Sequence, residues 1–231
     1  MRKFAETNKV GFCFKPKDFD GIRNFAVPKK FMAPSRLDLR DRCTPTEDQG
    51  GNPMCAAYSA AQWAENIRWM LTGSPLPEID PIPLYRYAKT VDGEPNEDGT
   101  TITAVLEALL SSQESVFDRT KCRVRTIRPS RIAIKHAIHK FGCCLGGFAI
   151  TDEWFDVTDK NNLISGDGEH KPLGGHCVLV CGYDKQGVWV QNSWGWGWGE
   201  YGFAKVSWKA FDSQFMYGGV ITNVLDGMTL G

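Results

Sequence analysis

The 231-residue sequence contains no apolar stretch long enough to span a bilayer and no run of like charge, and it has only four histidines. The first absence argues against a membrane protein, because a spanning helix needs about 20 apolar residues. The second argues against nucleic acid or an acidic lipid surface as partner: 27 basic and 27 acidic side chains cancel without forming a stripe. After Met1-Arg2-Lys3 comes Phe4-Ala5-Glu6-Thr7-Asn8-Lys9, too polar for the apolar middle of a secretory signal. An intracellular protein is therefore expected, unless it is exported by a route that needs no signal. With 42% hydrophobic residues the chain can bury a core without staples.

Cysteine is not scarce. The eight are Cys13, Cys43, Cys55, Cys122, Cys143, Cys144, Cys177 and Cys181. Several sit in apolar runs such as Cys177-Val178-Leu179-Val180-Cys181, where a free thiol behaves as a small buried hydrophobe. A reducing compartment is expected in place of a disulfide framework.

Pro28 and Pro34 bracket a linker that separates residues 1–33, a candidate leader, from the rest. From Met54 to Gly73 the apolar positions follow helical spacing, which predicts one long helix packed in a core. Shorter helices are predicted after Asp80-Pro81, after Thr100 or Thr101, and from Ser130 to Gly142. Then β-rich segments take over: 147–151, 176–183, 188–192, 203–208 and 220–224. Helices first and strands later predict an α+β protein of two lobes with the ligand site in the cleft between them.

Cys55 stands where the long helix begins, directly after the turn-forming Gly50-Gly51-Asn52-Pro53. First-turn amides and the helix dipole favour a thiolate there, so a lowered thiol pKa is expected. A thiolate nucleophile needs an imidazole to carry its proton. His136 and His139 are predicted on the exposed side of a helix and His170 in a polar loop. His176 differs, because it follows Gly174-Gly175 and opens an otherwise apolar strand, where a polar ring needs a partner. Asn192, in Gln191-Asn192-Ser193-Trp194-Gly195, supplies a carbonyl that fixes the imidazole tautomer, with Trp194 as a lid over that bond. Gln49, six residues before Cys55, offers an amide that joins the Cys55 N–H as an oxyanion donor.

Together these segments resemble the papain-like cysteine peptidases. Gln49-Gly50-(four residues)-Cys55 is similar to the family's Gln-Gly-x-Cys-Gly-Ser-Cys element, and Gly175-His176 through Gly182-Tyr183 to its histidine strand. Asn192-Ser193-Trp194-Gly195-Trp196-Gly197-Trp198-Gly199 through Gly202-Phe203 closely resembles the Asn-Ser-Trp-Gly-x-x-Trp-Gly-x-x-Gly-Tyr signature. Pro34 to Arg40 is similar to the mature start.

The resemblance implies a helical lobe, mainly 34–112, and a β-barrel-like lobe, mainly 113–225, within a peptidase domain 34–231. It also implies peptide hydrolysis through an acyl-enzyme, more as an endopeptidase than an exopeptidase. Cys55, His176, Asn192 and Gln49 carry the chemistry. Gly99, Thr100, Gly175, Cys177 and Trp194 line the substrate site, with the pocket floor among Ser213 to Tyr217. No cofactor or metal is implied, and the expected partner of a monomeric enzyme is a peptide or protein substrate. Residues 1–33 are a possible short inhibitory prosegment.

The chain also departs from the family. Asn52-Pro53-Met54-Cys55-Ala56 replaces Cys-Gly-[Ser/Ala]-Cys-[Trp/Tyr], and Asp98-Gly99-Thr100-Thr101 stands where Cys-x-Gly-Gly is common, so the usual helical-lobe disulfides cannot form. These departures leave two alternatives: a catalytically weak or inactive binding module, and a thiol-dependent acyl transferase or deamidase. A structural zinc site at His136, His139, Cys143 and Cys144 is disfavoured, since adjacent cysteines chelate one tetrahedral ion poorly.

Overall fold

The computed structural model describes residues 23–74, 77–111, 117 and 120–224. Among the described residues five α-helices lie against one sheet. α1 (Cys55–Thr72) is the long helix. Its face of Ala57, Ala60, Ala61, Ala64 and Ile67 is buried, and the small side chains let its backbone pack close to strand β5 (Gly174–Tyr183). Ser59 Oγ donates to the Cys177 carbonyl at 3.1 Å and Trp63 Nε1 to that of Cys143 at 2.7 Å, fastening helix to sheet. Gly73, at φ +68°, ends the helix in the left-handed conformation that glycine adopts cheaply.

α2 (Pro81–Val91) is capped by Asp80, whose carboxylate accepts from the Ile82 N–H, and α3 (Ile102–Ser111) packs beside it. α4 (Arg131–Phe141) and α5 (Trp208–Gln214) belong to the sheet half.

The remaining strands are β1 (Leu37–Asp38), β2 (Arg123–Ile127), β3 (Cys144–Ile150), β4 (Leu163–Ile164), β6 (Gly187–Gln191), β7 (Phe203–Ser207) and β8 (Phe215–Thr222). They run in the order β2-β8-β3-β5-β6-β7-β4, with β1 added to β5. All neighbours are antiparallel except β4 and β7. The sheet does not close on itself, so the expected barrel-like lobe is an open sheet. β5 is its axis, buried along almost its whole length, which is why its sequence reads as a continuous apolar run.

The four expected helices form within a residue or two of their predicted ends, and the expected strands form too, with shifted bounds. β8 begins at Phe215 and not at Val220. Gly218 and Gly219 hide the pattern, because a Cβ at Gly218 would meet the Leu145 carbonyl at 2.6 Å and one at Gly219 the Ile102 side chain at 2.5 Å. His136 overturns the expectation of an exposed ring: it is buried against Phe25 and Phe31, at centroid distances of 5.0 and 4.3 Å. Those phenylalanines belong to the leader. Its described part pairs at Asn24 and Phe25 with Thr126 of the edge strand β2, three strands from β5 and so about 14 Å from it. Residues 1–22, with the apolar patch at Phe12 and with Cys13, lie outside the described residues.

Candidate active site

Cys55 is the first residue of α1 and is fully buried. The preceding Met54 offers no side-chain cap, and the first helical bonds run from the Ala57 and Tyr58 N–H groups to the Met54 carbonyl. The amides of Cys55 and Ala56 are therefore left over by the helix, as the first amides of any helix are. Both, together with the backbone N–H of Cys177 on β5, favour negative charge on the sulfur. The nucleophile candidate thus lies where the helix start meets the strand that carries His176.

His176, also fully buried, makes one hydrogen bond, from Nε2 to Asn192 Oδ1 at 2.7 Å. An amide oxygen only accepts, so the neutral ring carries its proton on Nε2 and turns the Nδ1 lone pair the other way. Nδ1 is buried and has no hydrogen-bond partner. Asn192 Oδ1 is itself fixed by the Ser193 N–H at 2.8 Å. The Trp194 ring stacks on His176 at 4.7 Å and 29°, with Phe155 stacked on Trp194 at 5.1 Å and 13°. Trp154 meets His176 edge-on at 6.3 Å.

Gln49 is buried and clamped to the same segment. Its N–H donates to the Ser193 carbonyl at 2.9 Å, its Oε1 accepts from Ser193 Oγ at 2.6 Å, and its Nε2 donates to the Asn52 carbonyl at 2.8 Å. One of the two Nε2 hydrogens remains for a substrate oxygen. Sequence reasoning missed Ser193 as the residue that orients Gln49, although it sits inside the Asn-Ser-Trp motif. Trp154 and Phe155 were missed because a four-residue 3-10 turn leaves no periodic signal.

The electrostatics correct one expectation. Burial pushes the Cys55 thiol up to about 11 and outweighs the three amides that pull the other way. Burial also pushes His176 down to about 4, against the opposing Asn192 bond. In this enclosed state the helix start does not produce a thiolate, and thiol and imidazole are both neutral at pH 7.

The expected substrate contacts divide. Gly175 is partly exposed at the start of β5. Cys177 and Trp194 are buried. Thr100 is buried too, its hydroxyl donating to Asp92 at 2.9 Å, while the Gly99 carbonyl accepts from Lys89 Nζ at 2.9 Å. The Lys89–Asp92 ion pair at 2.8 Å thereby holds the 98–101 turn where a disulfide is absent. At the expected pocket floor Ser213 is exposed, and the buried Tyr217 accepts from the Ile102 N–H at 3.3 Å. Among the described residues no group of three His, Cys, Asp or Glu is placed to hold a metal ion.

Residues 97–216 match the family described as papain family cysteine protease. No curated protein sequence matches the chain. Among solved structures it is similar to xylellain, a cysteine protease from Xylella fastidiosa, at 19% identity and TM-score 0.73, over 93% of this chain and 97% of that one. A procathepsin B from Trypanosoma congolense aligns at 13% identity and TM-score 0.68, over 91% of this chain and 85% of the other. A cysteine protease from Carica candamarcensis aligns at 19% and 0.63, over 82% and 98%. At these identities the structures speak for the fold. The matched segment takes in His176 and Asn192 but begins after Cys55, the nucleophile candidate. No helix among the described residues is long and apolar enough to cross a membrane. The matched segment spans more than half of the sequence, and the chain belongs to the papain family of cysteine proteases.

Proposed function

We propose that the chain cleaves peptide bonds with Cys55 as nucleophile, His176 as its base, Asn192 as the group that positions His176, and Gln49 as an oxyanion donor. The observation that carries this reading is the His176 ring, held through Nε2 by Asn192 with its Nδ1 bare and buried, on the strand whose next amide, at Cys177, favours a thiolate at Cys55. When substrate opens the enclosed site, solvation and the helix-start amides favour the thiolate, and the proton passes from Sγ to His176 Nδ1. The sulfur attacks the scissile carbonyl. The oxyanion takes the Cys55 N–H and the free Nε2 hydrogen of Gln49. His176 then protonates the leaving amine, and a water deprotonated at Nδ1 hydrolyses the thioester.

Endopeptidase action is proposed, with an apolar preference at the second residue before the scissile bond, since no charged side chain is assigned to that pocket. A positional-scanning peptide library tests this, and a strong demand for Arg or Lys would refute it. Two aligned structures, the trypanosomal procathepsin B and the pollen protease Amb a 11, are of proforms. We propose an inhibitory role for residues 1–22 and a structural one for 23–33, whose Phe25 and Phe31 pack on α4. A chain starting at Ala33 should lose stability, whereas one starting at Arg23 should turn over faster than the full chain.

The decisive experiment is labelling with a peptidyl epoxide or vinyl sulfone, followed by mapping of the modified residue. Modification at Cys55 is expected. Labelling elsewhere, or full peptidase activity in Cys55→Ala, defeats the proposal.

A further inference from the structure

Three thiols that the proposed chemistry does not use converge behind the site. In the β3–β5 ladder Cys144 pairs with Val180 as the first residue of β3, so Cys143 lies just before the strand begins and Cys181 just after Val180 on β5. Cys181 is also the extra residue of a bulge, between Val180 paired with Val190 and Gly182 paired with Trp189. The third thiol arrives from outside the sheet. Leu39 donates its N–H to the Cys181 carbonyl at 3.0 Å, and one 3-10 turn later Cys43 Sγ donates to the Leu39 carbonyl at 3.3 Å. The Cys43 thiol thereby comes close enough to Cys143 and Cys181 to interact electrostatically with both. Cys143 and Cys181 are fully buried, whereas Cys43 keeps some exposure. All three are free.

We propose that Cys43 and Cys181 form a redox-closable staple, joining the segment that leads to Gln49 to the central strand of the sheet. A hydroperoxide is the oxidant. The Cys43 thiolate attacks the peroxide and becomes a sulfenic acid, releasing one water; the Cys181 thiolate then displaces the hydroxyl, which leaves as a second water as the S–S bond forms. Two thiols lose two protons and two electrons, and hydrogen peroxide becomes two waters. Cys43 is the entry point because its residue alone of the three reaches the surface, so a small peroxide has the shortest way in along it, and Cys181 is the resolving thiol because a backbone bond already ties the Cys43 turn to it. The adjoining Cys143 and Cys181 thiols, with burial, hold Cys43 protonated, and burial holds Cys181 so, so the staple closes faster as pH rises. It ties residues far apart in sequence, the arrangement in which a cross-link restricts the unfolded chain most.

The test uses full-length protein carrying Cys55→Ala, so that the candidate nucleophile consumes no oxidant. The protein is treated with hydrogen peroxide at pH 8.5, alkylated and mapped without reduction. A Cys43–Cys181 linked peptide is expected, with a melting temperature raised by roughly 5–10 °C and restored by dithiothreitol. Adding Cys43→Ser, a change at a partly exposed position, should remove both the linked peptide and the shift. Recovery of Cys43 as a free or overoxidised thiol, or of a Cys143–Cys181 link with Cys43 free, would overturn the proposal.

Discussion

The two walls of the site are built differently. On the sheet wall each ring is fixed from several directions: His176 by Asn192, Asn192 by the Ser193 N–H, Trp194 by His176 and Phe155, and Trp198 Nε1 by the Trp154 carbonyl at 2.7 Å. On the helix wall Cys55 follows an uncapped residue, and the loop before it turns on Gly50 at φ +56° and three bonds between Gln49 and Asn52. Substitutions in the sheet wall should therefore cost stability together with activity, and substitutions in the helix wall activity alone.

The largest expected separation is at Cys55. Cys55→Ala should lower peptide turnover by about 10⁴-fold or more while leaving the melting temperature close to that of the parent, because the side chain lost is small. An activity that survives would break the contrast at its root.

Trp194→Ala should do the reverse. Removing a buried ring of this size costs about 3–5 kcal/mol, a fall in melting temperature of roughly 6–20 °C for a chain of this length. It also opens the His176–Asn192 bond to water. Asn192→Ala leaves Nε2 without an acceptor and should cost about a hundredfold in kcat, with a smaller thermal loss. Equal melting temperatures for Trp194→Ala and Cys55→Ala would show that the walls do not differ.

Gln49 links the walls and should sharpen the comparison. Gln49→Ala is expected to lower kcat by about a hundred- to a thousand-fold with little change in KM, as loss of one oxyanion donor does. Ser193→Ala keeps the donor but frees Gln49 Oε1, so roughly a tenfold loss is expected. An effect of Gln49→Ala confined to KM would assign it to substrate binding.

The sheet wall was the more legible of the two. His176 and Asn192 announce themselves as polar residues bounding apolar strands, and Trp194 follows in the same motif. α1 was readable from its spacing and its stop at Gly73. What the sequence hid is whatever depends on distant surroundings. His136 lies on a helix whose pattern suggests exposure, and only the leader's phenylalanines bury it. The Cys55 thiol was expected low from its helix start, but enclosure outweighs the dipole. Ten-residue β5 was plain, whereas two-residue β1 and β4 carry no period at all.

The smallest effect concerns Glu47, on the helix wall two residues before Gln49. Its Oε1 is buried without a partner, and burial, with Glu65, Glu78 and Asp80 nearby, pushes its carboxyl from the ordinary 4.5 up to about 8. Between those values the folded protein holds a proton that the unfolded chain has released, so stability from this group is complete below pH 4.5 and is lost as pH climbs through 8. His176, lowered from 6.5 to about 4, acts in the opposite sense: the unfolded chain binds the extra proton, and stability rises with pH between those values. The two groups offset each other from about pH 4.5 to 6.5, and above that only Glu47 still acts. Denaturant midpoints should therefore decline from pH 6.5 to 8.5 in the parent and decline less in Glu47→Gln, which keeps the neutral shape and leaves only groups such as His170, whose pKa the Asp167 and Asp152 bonds raise. A decline of the same size in both proteins would mean that Glu47 is ionised in the folded state, and that the helix wall is more open to water than the sheet wall.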